Sequence, residues 1–142
     1  MIKPTIADTG VIVAALNKRE KYHVWTLEQM RSLTVPMLTC EAVITEACHL
    51  MRSEANGKEA VLSLIERGIL EINFSLEKEV RAVKELMSKY ENVPMDFADG
   101  CVVRMSELNE NAVVFTLDGD FWIYRQNGKK QIPLIIPADV RS

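Results

Sequence analysis

Short apolar runs alternate with stretches of helical periodicity along most of the chain. Pro4-Thr5-Ile6-Ala7 is a short run that stops at Asp8 and reads as a buried strand. Gly10–Leu16 reads as a helix. Tyr22–Leu33 is a second helix, with Val24, Leu27 and Met30 at helical spacing. Val35–Thr39 is a short strand. Glu41–Arg52 is a helix whose apolar stripe is Val43, Ala47, Leu50 and Met51. Asn56-Gly57 breaks the chain, and Lys58–Arg67 resumes as a helix closed by Gly68 at its C′ position. Ile69–Phe74 is a strand. Glu77–Tyr90 is an amphipathic helix that turns Val80, Val83, Leu86 and Met87 inward. After Pro94, Asp96–Leu108 is helical and Ala112–Leu117 is a strand rich in Val and Phe.

Strands that alternate with helices predict an α/β fold with a mainly parallel sheet. The strands are continuous apolar runs, as expected where helices cover both faces of the sheet. No repeat, low-complexity stretch or flexible linker interrupts residues 1–142, which predicts a single domain. The C-terminal part is open to two readings. Asp118-Gly119, between VVFTL and FWIY, fits a hairpin turn, but residues 119–124 also fit a helical turn. Asn127-Gly128 signals a hairpin before IPLII, and Pro133 confines that last strand to an edge.

Composition narrows the class. At 142 residues and 48% hydrophobic, the chain suits one globular core. No apolar run approaches the ~20 residues that span a bilayer. No signal peptide is evident, and Cys40, Cys48 and Cys101 lack metal-knuckle spacing, so a reduced, cytoplasmic chain is expected. The net charge of −3 argues against a module that wraps nucleic acid by bulk positive charge. It leaves room for a nuclease with an acidic site. The densest basic cluster, Lys18, Arg19 and Lys21, reads as a solvated helix end.

Five of the six aspartates lie beside apolar segments. Asp8 follows the first strand and Asp118 follows Val113–Leu117. In a parallel sheet both strands end at the same edge, where open α/β folds bind ligands. Glu46 lies about 40° from Leu50 around its helix, and Asp99 about 60° from Val102, each at the margin of a buried stripe. An ionised carboxylate at such a place is costly unless it is paired or bound to metal. Each acid also has a structural explanation. Asp8 or Thr9 can cap the next helix, Asp96 and Asp99 fit a capping box, and Asp118 and Asp120 suit a turn.

Four segments occur in order: Ile-Ala-Asp-Thr-Gly-Val, Glu-Ala-Val-Ile-Thr-Glu-Ala-Cys, Pro-Met-Asp-Phe-Ala-Asp-Gly-Cys and Val-Val-Phe-Thr-Leu-Asp-Gly-Asp-Phe. Together they resemble the PIN-domain ribonucleases, most of all the toxin subunits of the VapC type, from about residue 5 to residue 124. The resemblance implies a three-layer α/β/α sandwich whose carboxylates hold Mg²⁺ or Mn²⁺ at the carboxyl edge of the sheet. Matched by motif, the catalytic and metal-binding acids are Asp8, Glu46, Asp99 and Asp118. Thr9, Thr116, Asp96 and Asp120 stand in support. The resemblance also implies an RNA substrate, a small DNA-binding antitoxin as partner and a homodimer, and it favours the helical turn at Asp120. Gly100 departs from the pattern, since Ala is more usual after the aspartate, and glycine loosens a helix by up to ~1 kcal/mol.

These residues suit phosphodiester hydrolysis. Divalent metals stabilise charge on the phosphate and lower the pKa of water. Mg²⁺ prefers oxygen ligands, so a few carboxylates suffice, and zinc is disfavoured without a Cys/His cluster. Setting five acids aside leaves 17 basic against 15 acidic residues, a surface an RNA backbone can approach. His23 and His49 read as structural or surface residues, so a His-based mechanism is not expected. Trp122 and Tyr124 are the nearest candidates for base stacking, with core or dimer packing preferred. The leading expectation is a metal-dependent endoribonuclease of toxin type. The alternatives are a PIN-like RNA-binding or scaffold module without turnover, against which the intact acids argue, and a phosphohydrolase of small esters.

Overall fold

A computed structural model describes residues 3–142. The elements run β1 (Thr5–Ala7), α1 (Thr9–Leu16), α2 (His23–Met30), β2 (Met37–Thr39), α3 (Glu41–Leu50), α4 (Gly57–Glu66) and β3 (Leu70–Ile72). They continue with α5 (Leu76–Lys89), α6 (Phe97–Leu108), β4 (Val113–Phe115), a 3-10 turn (Gly119–Trp122), β5 (Arg125–Gln126), β6 (Lys130–Gln131) and β7 (Leu134–Ile135).

Five strands form a parallel sheet in the order β3-β2-β1-β4-β7, and helices flank it. This is the α/β architecture that the alternating pattern predicts. Strand β1 is central, with Ile6 opposite Leu38 on one side and Val114 on the other. Ile6, Ala7, Val114 and Phe115 are fully buried, which is why these strands read as unbroken apolar runs. Helix α6 is buried along nearly its whole length, from Ala98 to Val103 and again at Met105 and Ser106. It packs on α5 and lies against β1 and β4. Gly100 sits where α6 meets α5. A Cβ there would come within 3.2 Å of Met87 Cγ and 3.4 Å of Val83 Cγ1, so the departure from Ala serves close helix packing.

Helical spacing misplaces three faces. In α2, Val24 and Leu27 are exposed, while Thr26 is buried and Trp25 packs on Phe115. Leu50 of α3 and Val80 of α5 are also exposed, at 54% and 46%. Spacing shows which residues share a face. It does not show how far a neighbouring helix covers that face. Two helices are also shorter than their patterns at the C-terminal end: α2 ends at Met30 rather than Leu33, and α3 at Leu50 rather than Arg52.

The C-terminal readings divide. Asp118-Gly119 is not a hairpin, because Asp118 Oδ1 accepts from the Asp120 amide at 2.9 Å and starts the 3-10 turn. Asn127-Gly128 is a hairpin turn, with φ of 50° and 78° at the two residues. Its second arm is Lys130–Gln131 rather than IPLII. Leu134–Ile135 joins the main sheet in parallel beside β4 as an edge strand.

Candidate metal centre

The end of β1 delivers Asp8 and the end of β4 delivers Thr116 and Asp118 to one edge of the sheet. The Asp8 amide donates to the Phe115 carbonyl at 3.0 Å, so the ladder holds right up to the acid. Asp8 occupies the N-cap position of α1 yet makes no side-chain cap bond. Its Oδ2 accepts instead from Thr116 Oγ1 at 2.7 Å. The same Thr116 oxygen accepts from the Asp118 amide at 3.0 Å. One hydroxyl therefore spans both strand ends and fixes both acids.

Helix α6 delivers Asp99 from a third direction. Asp96 caps this helix, accepting from the Asp99 amide at 2.8 Å. That is one half of the capping box. The other half does not form, because Asp99 Oδ2 accepts from the Tyr124 hydroxyl at 3.0 Å. Tyr124 is fully buried, with Tyr90 and Phe121 edge-on to its ring. Its contact with the acid is a role that the sequence reading missed. The signal was the isolated polar group in a buried aromatic stretch, since a buried phenol seeks a partner.

Asp8, Asp99 and Asp118 each turn a carboxylate oxygen to within 4.8 Å of the other two. Glu46, Asp96 and Asp120 lie outside that triangle. Glu46 is tied to its edge through Thr9, whose Oγ1 donates to Glu46 Oε1 at 2.8 Å. Asp120 reaches it through its amide on Asp118. Trp122 donates to the Val140 carbonyl at 2.9 Å. His23 is bonded to the Ala14 carbonyl, and exposed His49 lines a hollow with Glu46, so neither histidine belongs to the triangle.

The electrostatics follow from burial and crowding. Burial raises Asp8 to about 6, against the opposing effect of the Thr116 bond, and Asp118 and Glu46 add to the rise. Burial raises Asp99 to about 8, with Asp8, Asp96 and Asp118 adding repulsion. Glu46 and Asp118 are raised as well, first by burial and then by neighbouring acids. The ion pairs among the described residues join Arg19 to Glu54, Lys21 to Asp139, and Arg104 to Glu79 and Glu107. None of them reaches the triangle. Three dehydrated carboxylates without a cation partner are costly when ionised. Their donors are all oxygen, which suits a hard divalent cation.

The PIN domain family matches residues 5–125. The chain belongs to the PIN domain family. PIN domains are generally metal-dependent nucleases, and the acid triangle can bind such a metal. No curated protein matches the chain.

Proposed function

We propose that this PIN domain is an endoribonuclease that depends on Mg²⁺ or Mn²⁺ and acts as the toxin of a VapBC-type pair. The observation that carries the reading is the convergence of Asp8, Asp99 and Asp118 within 4.8 Å without a cation partner among the described residues. Asp8, Asp99 and Asp118 would hold the metal, with Glu46 completing the acidic edge. A divalent cation there supplies charge neutralisation on the phosphodiester and lowers the pKa of the attacking water.

The chain's own residues do the rest. Thr116 orients Asp8 and Asp118 relative to one another. Tyr124 fixes the rotamer of Asp99, and Thr9 that of Glu46. Such supporting bonds typically matter 10- to 100-fold in metal affinity or activity, at order of magnitude. The toxin assignment rests on the likeness of the four motif segments to VapC-type subunits. It carries with it a small DNA-binding antitoxin, a homodimer, a single domain across residues 1–142 and a cytoplasmic setting. No helix among the described residues is long and apolar enough to cross a membrane.

The test is cleavage of single-stranded RNA by purified protein with Mg²⁺, with Mn²⁺ and with EDTA, in parallel with growth of cells expressing the chain. Metal-dependent cleavage and growth arrest, both lost in Asp8→Asn, are expected. Binding of RNA without any cleavage in either metal would favour the scaffold reading instead.

A further inference from the structure

We propose that Arg141 is a phosphate contact for the RNA substrate, carried on a segment, residues 136–142, whose backbone docks against Gly119 next to Asp118. The inference rests on the ribonuclease reading above and names a residue that the motifs do not contain.

The segment after β7 is fastened at several points. The Val140 amide donates to the Pro137 carbonyl at 3.0 Å and closes a turn. The Val140 carbonyl accepts from Trp122 Nε1 at 2.9 Å. Asp139 accepts from the Tyr22 hydroxyl at 3.0 Å and faces Lys21 Nζ at 3.7 Å. Gly119 supplies the closest approach. A Cβ there would lie 2.1 Å from the Arg141 carbonyl oxygen and 2.7 Å from its carbon. Only glycine admits a backbone that close. Gly119 directly follows Asp118, so the docked segment sets the Arg141 backbone against the strand end that carries the acid.

The Arg141 side chain is exposed, and among the described residues it forms no ion pair. Its one hydrogen bond goes to the neighbouring Val140 carbonyl at 3.4 Å. The guanidinium is therefore not spent on Asp118 or Asp120, although its backbone adjoins them. A cluster of buried carboxylates repels an RNA strand, and an uncommitted guanidinium whose backbone docks against Gly119, next to Asp118, can offset that repulsion with a planar donor fork suited to phosphate.

The experiment measures binding of a short fluorescein-labelled single-stranded RNA in EDTA across a KCl series, and steady-state cleavage of the same RNA in Mg²⁺. Arg141→Ala should raise both Kd and KM roughly three- to tenfold, keep kcat within about twofold, and lower the salt slope by about 0.7. Arg141→Lys should restore the slope and part of the affinity, because it returns the charge without the fork. Unchanged Kd, KM and slope in Arg141→Ala, with a wild type that binds and cleaves, would overturn this inference and leave the ribonuclease reading standing. A fall in kcat at unchanged KM would overturn it too. A wild type that cleaves no RNA would end both.

Discussion

Thr116 and Asp8, 108 residues apart in sequence, share a 2.7 Å hydrogen bond in which the threonine hydroxyl donates to the carboxylate. The same oxygen accepts the Asp118 amide, so the hydroxyl is used in both directions. Thr116→Val keeps the shape and leaves a buried carboxylate and an amide short of a partner. It should cost about 1–3 kcal/mol of stability, whereas Thr116→Ser should cost less. Urea denaturation of the three proteins checks this. A larger loss in Thr116→Ser than in Thr116→Val would assign the effect to packing of the methyl group, which valine retains.

Asp8→Asn removes one charge from a crowded, buried site and retains an acceptor for Thr116. Without metal the variant should be as stable as wild type or more so, by ~0.5–2 kcal/mol. Mg²⁺ at ten times its Kd should stabilise wild type by about 1.4 kcal/mol and Asp8→Asn much less. Glu46→Gln lies outside the triangle and should keep more of the Mg²⁺ effect than Asp8→Asn. Thermal melts in EDTA and in Mg²⁺ provide the comparison. Equal shifts in all three proteins would remove the shared metal site.

The pH dependence of the metal-free fold has a definite sign. Asp99 is raised from 3.8 to about 8 by burial first and neighbouring acids second. Asp8 is raised to about 6 by the same order of causes. A carboxyl raised on folding binds its proton more tightly in the native state. Its contribution is fully present below about pH 4 and is lost as pH rises through the folded value. In EDTA, stability should therefore fall between about pH 4 and pH 8. Asp99→Asn should flatten that fall. Urea midpoints across the range measure it, and a wild-type slope identical to that of Asp99→Asn would contradict it.

Tyr124→Phe deletes the bond that opposes the rise of Asp99. Asp99 should then hold its proton to still higher pH, and half-saturation by Mg²⁺ at neutral pH should need roughly tenfold more metal. A titration followed by melting temperature reads this out. The ring remains, so the Tyr90 and Phe121 contacts are preserved.

Cleavage should leave a 5′-phosphate and a 3′-hydroxyl. The acid triangle contains no histidine, so a metal-activated water rather than a histidine-deprotonated 2′-hydroxyl is the expected nucleophile. End analysis of the RNA products decides, and 2′,3′-cyclic phosphates from pure protein would contradict hydrolysis by water.

The fold was legible because burial on both faces makes a parallel strand apolar throughout, and runs such as Ile6-Ala7 and Val113–Phe115 carry that mark. The edge that gathers Asp8 and Asp118 followed from strand direction alone. Glu46 read as equivalent to the other acids, since its helical angle says nothing about distance, yet it stands outside the 4.8 Å triangle. The partner of Tyr124 is not legible in the sequence because it lies 25 positions away in a different element. Asp118-Gly119 leaves two readings open because an Asp-Gly pair serves an Asx-capped turn as readily as a type I′ turn, and the helical turn that the resemblance favours is the one observed.

Central strand β1 has a consequence for synthesis on the ribosome. Its neighbour β4 is made long after it, and the chain must grow past residue 118 before the third carboxylate exists. Until then Ile6 and Ala7 lack their pairing with Val114 and Phe115, and Asp8 lacks Thr116. An acid triangle divided in this way cannot assemble in any nascent chain shorter than residue 118. Any metal chemistry of the site therefore waits until β4 has joined β1.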